Sequence, residues 1–290
     1  MENMDSLKIV YTIWTKPHLE KCSNFGFNSL DDFKNSVILS VNAVKQYYDN
    51  VHLYIDSPGM EILKDVLHEL PFKEIHNVLD EIYWVPSFYW AFPKLYVYGL
   101  QEEPFIHIDN DAILFSPIND EIINNWDCIC QWFEDYDREE YKDYFLGMDY
   151  FKDKGIINKS VFNVYEYRLA ANAGIFGAMN EKGLEMFKWL SKEAVLTLER
   201  LEKNKHEYSN MYRDSMLGNY LPQYINMLTE QSLSWVYMKD NDLKTFSIGL
   251  NAYMDNEYGH KFSHLMGNAK KDHAKMEKIA KRVQWKIWTA

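Results

Sequence analysis

The sequence predicts an α/β fold with a mostly parallel central sheet flanked by helices. Two observations carry this. Short apolar runs rich in β-branched residues alternate with helix-length amphipathic segments over the first 115 residues. The clearest buried run, Phe105-Ile106-His107-Ile108, leads directly into Asp109-Asn110-Asp111. In open sheets of this kind ligands bind beyond the carboxyl ends of the strands.

Lys8 to Trp14 reads as the first strand, followed by a loop marked by Pro17 and Gly26. From Ser29 to Tyr48, the recurrence of apolar residues (Phe33, Val37, Leu39, Val41, Val44) favours a helix, with Ser29 as its cap. Val51–Ile55 is a second strand, closed by a turn at Asp56-Ser57-Pro58-Gly59, and Met60–Leu70 a helix. Glu74–Val78 is a weak third strand. Ser87–Leu100 reads as an aromatic-rich helix in which Pro93 is a breaker or a first-turn residue. After Asp111 a strand resumes at Ala112–Phe115. Residues 134–159 are acidic, aromatic and poorly periodic, and read as a long surface loop, either a lid or a plain disordered acidic segment. Met186–Lys203 is a helix. Repeats and Gly-, Pro- or Ser-rich linkers are missing, which predicts a single domain over residues 1–267, followed by a basic amphipathic helix over 268–290.

Composition bounds the function. The chain has 290 residues, 47% hydrophobic and 26% charged, which excludes a disordered chain. The net charge of −12 excludes a nucleic-acid partner held by bulk charge. Three cysteines (Cys22, Cys128, Cys130) are too few for a disulfide framework; Cys128-Ile129-Cys130 reads as a buried, reduced strand. With no signal-like leader and no membrane span, the expected location is cytoplasmic. The charge is unevenly spread. Residues 268–290 hold seven basic and two acidic side chains, a net +5 that leaves −17 for the rest. Met276, Ile279, Val283 and Ile287 recur at helical spacing there. Packing on the fold is the first reading of that stripe, and peripheral contact with the inner membrane face the second.

Three segments carry chemistry. Asp109 and Asp111 flank one residue, so on an extended chain their carboxylates point the same way. Such a pair repels itself unless a cation lies between, and a hard divalent metal would also neutralise a diphosphate. The competing reading is a solvated Asp-Asn-Asp turn. Asn172-Ala173-Gly174-Ile175-Phe176-Gly177 has glycines that permit close backbone approach, or a bulged strand. His264-Leu265-Met266-Gly267-Asn268-Ala269-Lys270 combines a metal-binding side chain, a turn former and a phosphate-binding charge.

In order and approximate spacing these segments resemble the GT-A-fold nucleotide-sugar glycosyltransferases of the glycogenin and lipopolysaccharide-galactosyltransferase family, and more narrowly uncharacterised bacterial proteins with the same Ile-His-Ile-Asp-x-Asp segment. The resemblance spans roughly residues 7–272. It implies a metal-dependent, retaining transfer of a sugar from a nucleotide-diphosphate sugar, UDP by family habit, to a saccharide or other hydroxyl acceptor, with a role in bacterial surface-glycan synthesis. It implies Asp109, Asp111 and His264 as ligands of Mn²⁺ or Mg²⁺, and Gly267 and Lys270 at the diphosphate. Lys94, 15 residues before Asp109, stands near the family's basic donor contact. Thr12, Trp14, Asp56, Asn110 and Gly174 fall to the donor side, and Asn172, Glu230 and Gln231 to the reacting sugar and acceptor. Where the family has Asp-Gln-x-x-Leu-Asn, this chain reads Glu230-Gln231-Ser232-Leu233-Ser234, and Lys270-Lys271-Asp272 replaces the usual Lys-Pro-Trp. Two other classes compete. A non-catalytic carbohydrate- or nucleotide-sugar-binding protein on a decayed scaffold is the first alternative, and the intact acid pair with His264 and Lys270 argues against it. A haloacid-dehalogenase phosphatase would carry Thr or Val at the position of Ile113 and place its acid pair near the start of the chain.

Overall fold

Alternation along β1 (Lys8–Ile13) sets the architecture, because Ile9, Tyr11 and Ile13 enter one apolar cluster and Val10 the other, on opposite faces of the sheet. The computed structural model describes residues 7–21, 23–87, 89–135, 169–203, 242–248 and 262–284. After β1 come α1 (Lys16–Glu20), α2 (Leu30–Lys45), β2 (Val51–Ile55), α3 (Ser57–Leu67), β3 (Glu74–Asn77), a 3-10 turn (Leu79–Ile82), α4 (Phe92–Gly99), β4 (Phe105–Ile108), β5 (Ala112–Leu114), α5 (Asp120–Asn125), β6 (Cys128–Cys130), β7 (Phe133–Asp135), β8 (Leu169–Ala171), β9 (Ile175–Ala178), α6 (Glu181–Lys203), β10 (Thr245–Ser247), β11 (Phe262–His264), a second 3-10 turn (Gly267–Lys271) and α7 (His273–Arg282).

Seven strands form one sheet in the order β10-β6-β9-β4-β1-β2-β3. All neighbours are parallel except those of β9, which runs antiparallel to both β4 and β6. The expected mostly parallel sheet with helices on both faces is therefore present. One face is covered by α2, α3 and α7 through residues such as Phe33, Val37, Leu63 and Ile279. The other is covered by α4 and α6, where Phe187 meets Tyr98, Phe105 and Phe176 with ring centroids 5.1, 5.2 and 4.6 Å apart. A two-stranded ladder of β5 and β11 and another of β7 and β8 lie beside the main sheet.

Several boundaries differ from the sequence expectation for local reasons. The Asp56–Gly59 stretch is a helix start, not a strand-closing turn. The Asp56 carboxylate accepts from the Gly59 N–H at 2.9 Å, and Pro58 fits the first turn, so α3 begins three residues before Met60. Pro93 likewise sits in the first turn of α4, which starts only at Phe92. Ser29 caps α2 as expected, accepting from the Asp32 N–H at 3.1 Å. Cys128 and Cys130 are buried, unbridged thiols on β6, and burial pushes both thiol pKa values up. The acidic stretch 134–159 falls outside the described residues beyond Asp135.

The basic tail folds onto the body. Met276, Ile279 and Val283 of the α7 segment are buried in the same cluster as Val37 and Val44 of α2. That apolar stripe faces protein, so it does not offer the membrane contact considered as its second reading; Ile287 lies outside the described residues. No helix among the described residues is long and apolar enough to cross a membrane.

Candidate metal centre

The Asp-Asn-Asp segment follows β4 at the carboxyl edge of the sheet and is a turn, not an extended strand. The Ala112 N–H donates to the Asp109 carbonyl at 2.9 Å and closes it. Four further bonds brace the turn. The Asp109 N–H donates to the Gly174 carbonyl at 2.9 Å, and the Leu265 N–H to the Asp111 carbonyl at 2.9 Å. From α2, the Ser36 hydroxyl donates to the Asn110 carbonyl at 2.9 Å and the Ser40 hydroxyl to the Ala112 carbonyl at 2.5 Å. Strand alternation is thus not what aligns the two carboxylates. They converge because the turn is clamped on both sides, and because the β5–β11 ladder pairs His264 with Ala112.

The His264 Nε2 stands 3.2 Å from Asp111 Oδ1 and 3.9 Å from Asp109 Oδ2. All three ligand atoms fall within 4.8 Å of one another. The His264 Nδ1 lies 2.8 Å from Gln131 Oε1, a carbonyl oxygen that only accepts. One ring proton therefore sits on Nδ1, and Nε2 is turned to the carboxylates, where it shares either a proton or a metal with them. Three acceptors facing one another are stable only around a cation, a proton or a metal. Two oxygens and one nitrogen could hold a divalent cation, and Gln131 is placed to orient the histidine among them. Gly174 makes the arrangement sterically possible, since a Cβ there would run into Gln131 Oε1 and the His264 ring.

Two lysines neutralise the carboxylates. The Lys94 ammonium reaches Asp109 Oδ1 at 2.8 Å and Oδ2 at 2.9 Å, and the Lys270 ammonium reaches Asp111 Oδ2 at 2.7 Å. Burial alone would raise the pKa of Asp111. The charges of Lys270 and His264 overcome it and hold the carboxyl well below the usual carboxylate range. Gly267 adopts φ +53°, which lets the chain leave β11 sharply and bring Lys270 back over the site.

A cleft of about 200 Å³ opens above these groups, and Thr12, Trp14, Lys94, Asn110 and Lys270 are among its lining residues with both aspartates. The Trp14 Nε1 is buried there with no hydrogen-bond partner. Thr12 Oγ1 is 3.1 Å from His107 Nε2. Trp90, 47% exposed, stands in the cleft wall, whereas Trp84 is exposed outside it. Asp56 sits elsewhere than the donor-side reading expects. It is fully buried, with one oxygen accepting from the N–H and the hydroxyl of Thr15, both at 2.8 Å, and the other from Gly59. It anchors the chain that carries Trp14 and does not face the cleft. Asn172 accepts from the Gly174 N–H at 3.0 Å and so shapes the glycine turn. Glu230 and Gln231 lie outside the described residues.

Two functional neighbours escaped sequence reading. Gln131 is separated from His264 by 133 positions and follows a strand with no motif, so nothing local marks it. His107 had a weak signal, as the one polar residue in an apolar strand. It is fully buried, and its Nδ1 lies 3.8 Å from Asp109 Oδ1 without a hydrogen-bond partner. Burial, reinforced by Lys94, lowers its pKa well below the ordinary histidine value, so the ring behind Asp109 is neutral.

A family model described as "Family of unknown function (DUF6734)" matches residues 7–287. No curated protein matches the sequence. Among the solved structures that match is the apo form of mouse xyloside xylosyltransferase 1, 12% identical, with a TM-score of 0.43 over 97% of this chain and 94% of that one.

Proposed function

The chain belongs to the family of unknown function (DUF6734), and we propose that it is a metal-dependent glycosyltransferase of GT-A type, acting on a nucleotide-diphosphate sugar. The observation that carries this reading is the convergence of Asp109, Asp111 and His264 on one point, with Lys270 beside them, in the cleft at the carboxyl edge of the sheet.

Breaking the bond between a sugar and a nucleoside diphosphate places negative charge on the leaving phosphate. A divalent cation at Asp109, Asp111 and His264, Mn²⁺ or Mg²⁺ by donor type, would supply Lewis-acid stabilisation of that charge. This chain's own groups do the rest. Lys270, which here pairs with Asp111, is placed to pair with a phosphate oxygen once the carboxylate is otherwise engaged. Lys94 holds Asp109 in register. Gln131 keeps the His264 proton on the nitrogen away from the ligand point. The buried Trp14 indole N–H and Thr12 form the wall that takes the base and ribose, which we read as those of UDP. Asn172, Glu230 and Gln231 are assigned to the sugar and acceptor side, with retention of anomeric configuration. An acceptor of saccharide or other hydroxyl type, and a cytoplasmic site of action, complete the reading.

The test is calorimetric titration of UDP and a panel of UDP-sugars with and without Mn²⁺, followed by assay of UDP release and NMR of the anomeric product. Metal-dependent UDP binding with release from at least one sugar donor is expected. Binding of no nucleoside diphosphate under either condition would overturn the reading, and binding without release would leave a donor-binding protein instead.

A further inference from the structure

A second group of ligand-type side chains lies away from the cleft, on the margin of the sheet formed by β2 and β3. Here we propose a binding site for a borderline divalent transition metal, Zn²⁺ by donor chemistry, held by His52, Glu74 and His76. The proposal is independent of the transferase reading.

Strand register creates the cluster. β2 and β3 pair in parallel with His52 opposite Glu74 and Tyr54 opposite His76, so all four side chains rise from one face. The His52 Nδ1 is 3.0 Å from the His76 Nε2, the His76 Nε2 is 3.4 Å from Glu74 Oε2, and the His52 Nδ1 is 3.9 Å from that same oxygen. Donors about 2.0–2.2 Å from a tetrahedral Zn²⁺ stand roughly 3.4 Å from one another. The three observed separations bracket that value, without any rearrangement of the strands.

The neighbours fix which nitrogens face inward. The His52 Nε2 lies 2.9 Å from Asn50 Oδ1, and the Lys73 ammonium donates to the same oxygen at 2.9 Å. An oxygen already serving as acceptor takes the Nε2 proton, which leaves the Nδ1 lone pair aimed at the shared point. This is the arrangement by which an outer partner sets the tautomer of a ligating histidine. Tyr54 stacks on His76 with centroids 4.5 Å apart and planes 20° apart, which holds the second ring. His52 is buried, whereas the side chains of His76 and Glu74 are 28% and 54% exposed. That gives an entry path and leaves a fourth position to water. Two imidazoles and one carboxylate favour Zn²⁺ over the hard cations suited to the cleft. The consequence is a clip that ties the edge strand β3 to β2. The competing account is a plain hydrogen bond from the His76 Nε2–H to the His52 Nδ1, which needs no metal.

The test uses tag-free, chelator-stripped full-length protein and Zn²⁺ titrated against a chromophoric chelator. Asp111→Asn is the background that disables the cleft. It is expected to keep one equivalent of Zn²⁺, and Asp111→Asn with His76→Gln to keep none. Glu74→Gln, at an exposed position, should weaken Zn²⁺ at least tenfold with an unchanged circular dichroism spectrum, which covers a folding failure of the histidine variant. Equal Zn²⁺ binding with and without His76, or no Zn²⁺ bound by the Asp111→Asn protein, would overturn the proposal.

Discussion

The cleft and the β2–β3 margin each bring three ligand-type side chains together, but they do so by opposite routes. At the margin, His52, Glu74 and His76 come from two adjacent strands, and pairing register alone assembles them. In the cleft, Asp109 and Asp111 meet His264 across more than 150 residues, and the meeting depends on a braced turn, a separate ladder and a glycine. The margin offers two nitrogens and one oxygen with a solvent-facing side. The cleft offers two carboxylates already neutralised by Lys94 and Lys270. The difference teaches that charge balance separates the two. In the cleft the lysines paired with Asp109 and Asp111 could turn to an anionic ligand, while the margin sets one carboxylate against two imidazoles.

Perturbations should separate the two regions, beginning with the strongest. Asp111→Asn removes a ligand and the Lys270 partner together, and should weaken metal-dependent UDP binding on the order of 100-fold or more. The Zn²⁺ titration of the margin should be unchanged, and calorimetry on one sample reads both. Gly174→Ala forces a methyl group against Gln131 and His264. It should cost about 1–3 kcal/mol of stability, read by urea unfolding, and reduce Mn²⁺ affinity in the cleft by a factor of some tens, again without effect at the margin. Gln131→Leu leaves every ligand in place and removes only the group that orients His264. About a tenfold loss of Mn²⁺ affinity is expected, at the low end for such partners, and rescue by Gln131→Glu, which restores an acceptor, separates orientation from packing.

The smallest effect concerns pH. His18 lines the cleft wall and stacks on Phe25 with centroids 3.8 Å apart. Burial, together with the charges of Lys270 and Lys21, pushes its pKa down to about 4. The unfolded chain then binds this proton more readily than the folded one, so stability is fully present above the ordinary histidine pKa of about 6.5 and falls as pH drops towards 4. His18→Asn should flatten that limb, measured as urea midpoints from neutral pH down to about 4. An unchanged slope would place the acid sensitivity elsewhere.

What the sequence disclosed followed the range of the interactions involved. β1, β2, β4 and the Ser29-capped α2 are locally encoded, by apolar runs and a cap, and were legible. The antiparallel insertion of β9 between β4 and β6 was not, because a four-residue strand carries no direction in its own sequence. The site splits the same way. Asp109, Asp111, His264 and Lys270 could be named from motifs and resemblance, and they do meet in space. Gln131 could not, since its importance lies entirely in a contact with a residue 133 positions away. Asp56 was misread because a residue after a strand and before a Pro-Gly pair looks the same whether it faces a ligand or caps a helix. Only the bonds to Thr15 and Gly59 decide that.

The central claim is that the cleft at Asp109, Asp111 and His264 takes a nucleoside diphosphate through a divalent cation. Calorimetric titration of UDP into the wild-type protein, with Mn²⁺ and after its removal by chelator, tests this most directly. The account predicts binding that Mn²⁺ strengthens at least tenfold and that Asp111→Asn weakens on the order of 100-fold or more. UDP affinity identical with and without Mn²⁺, or unaffected by Asp111→Asn in a normally folded protein, would contradict it.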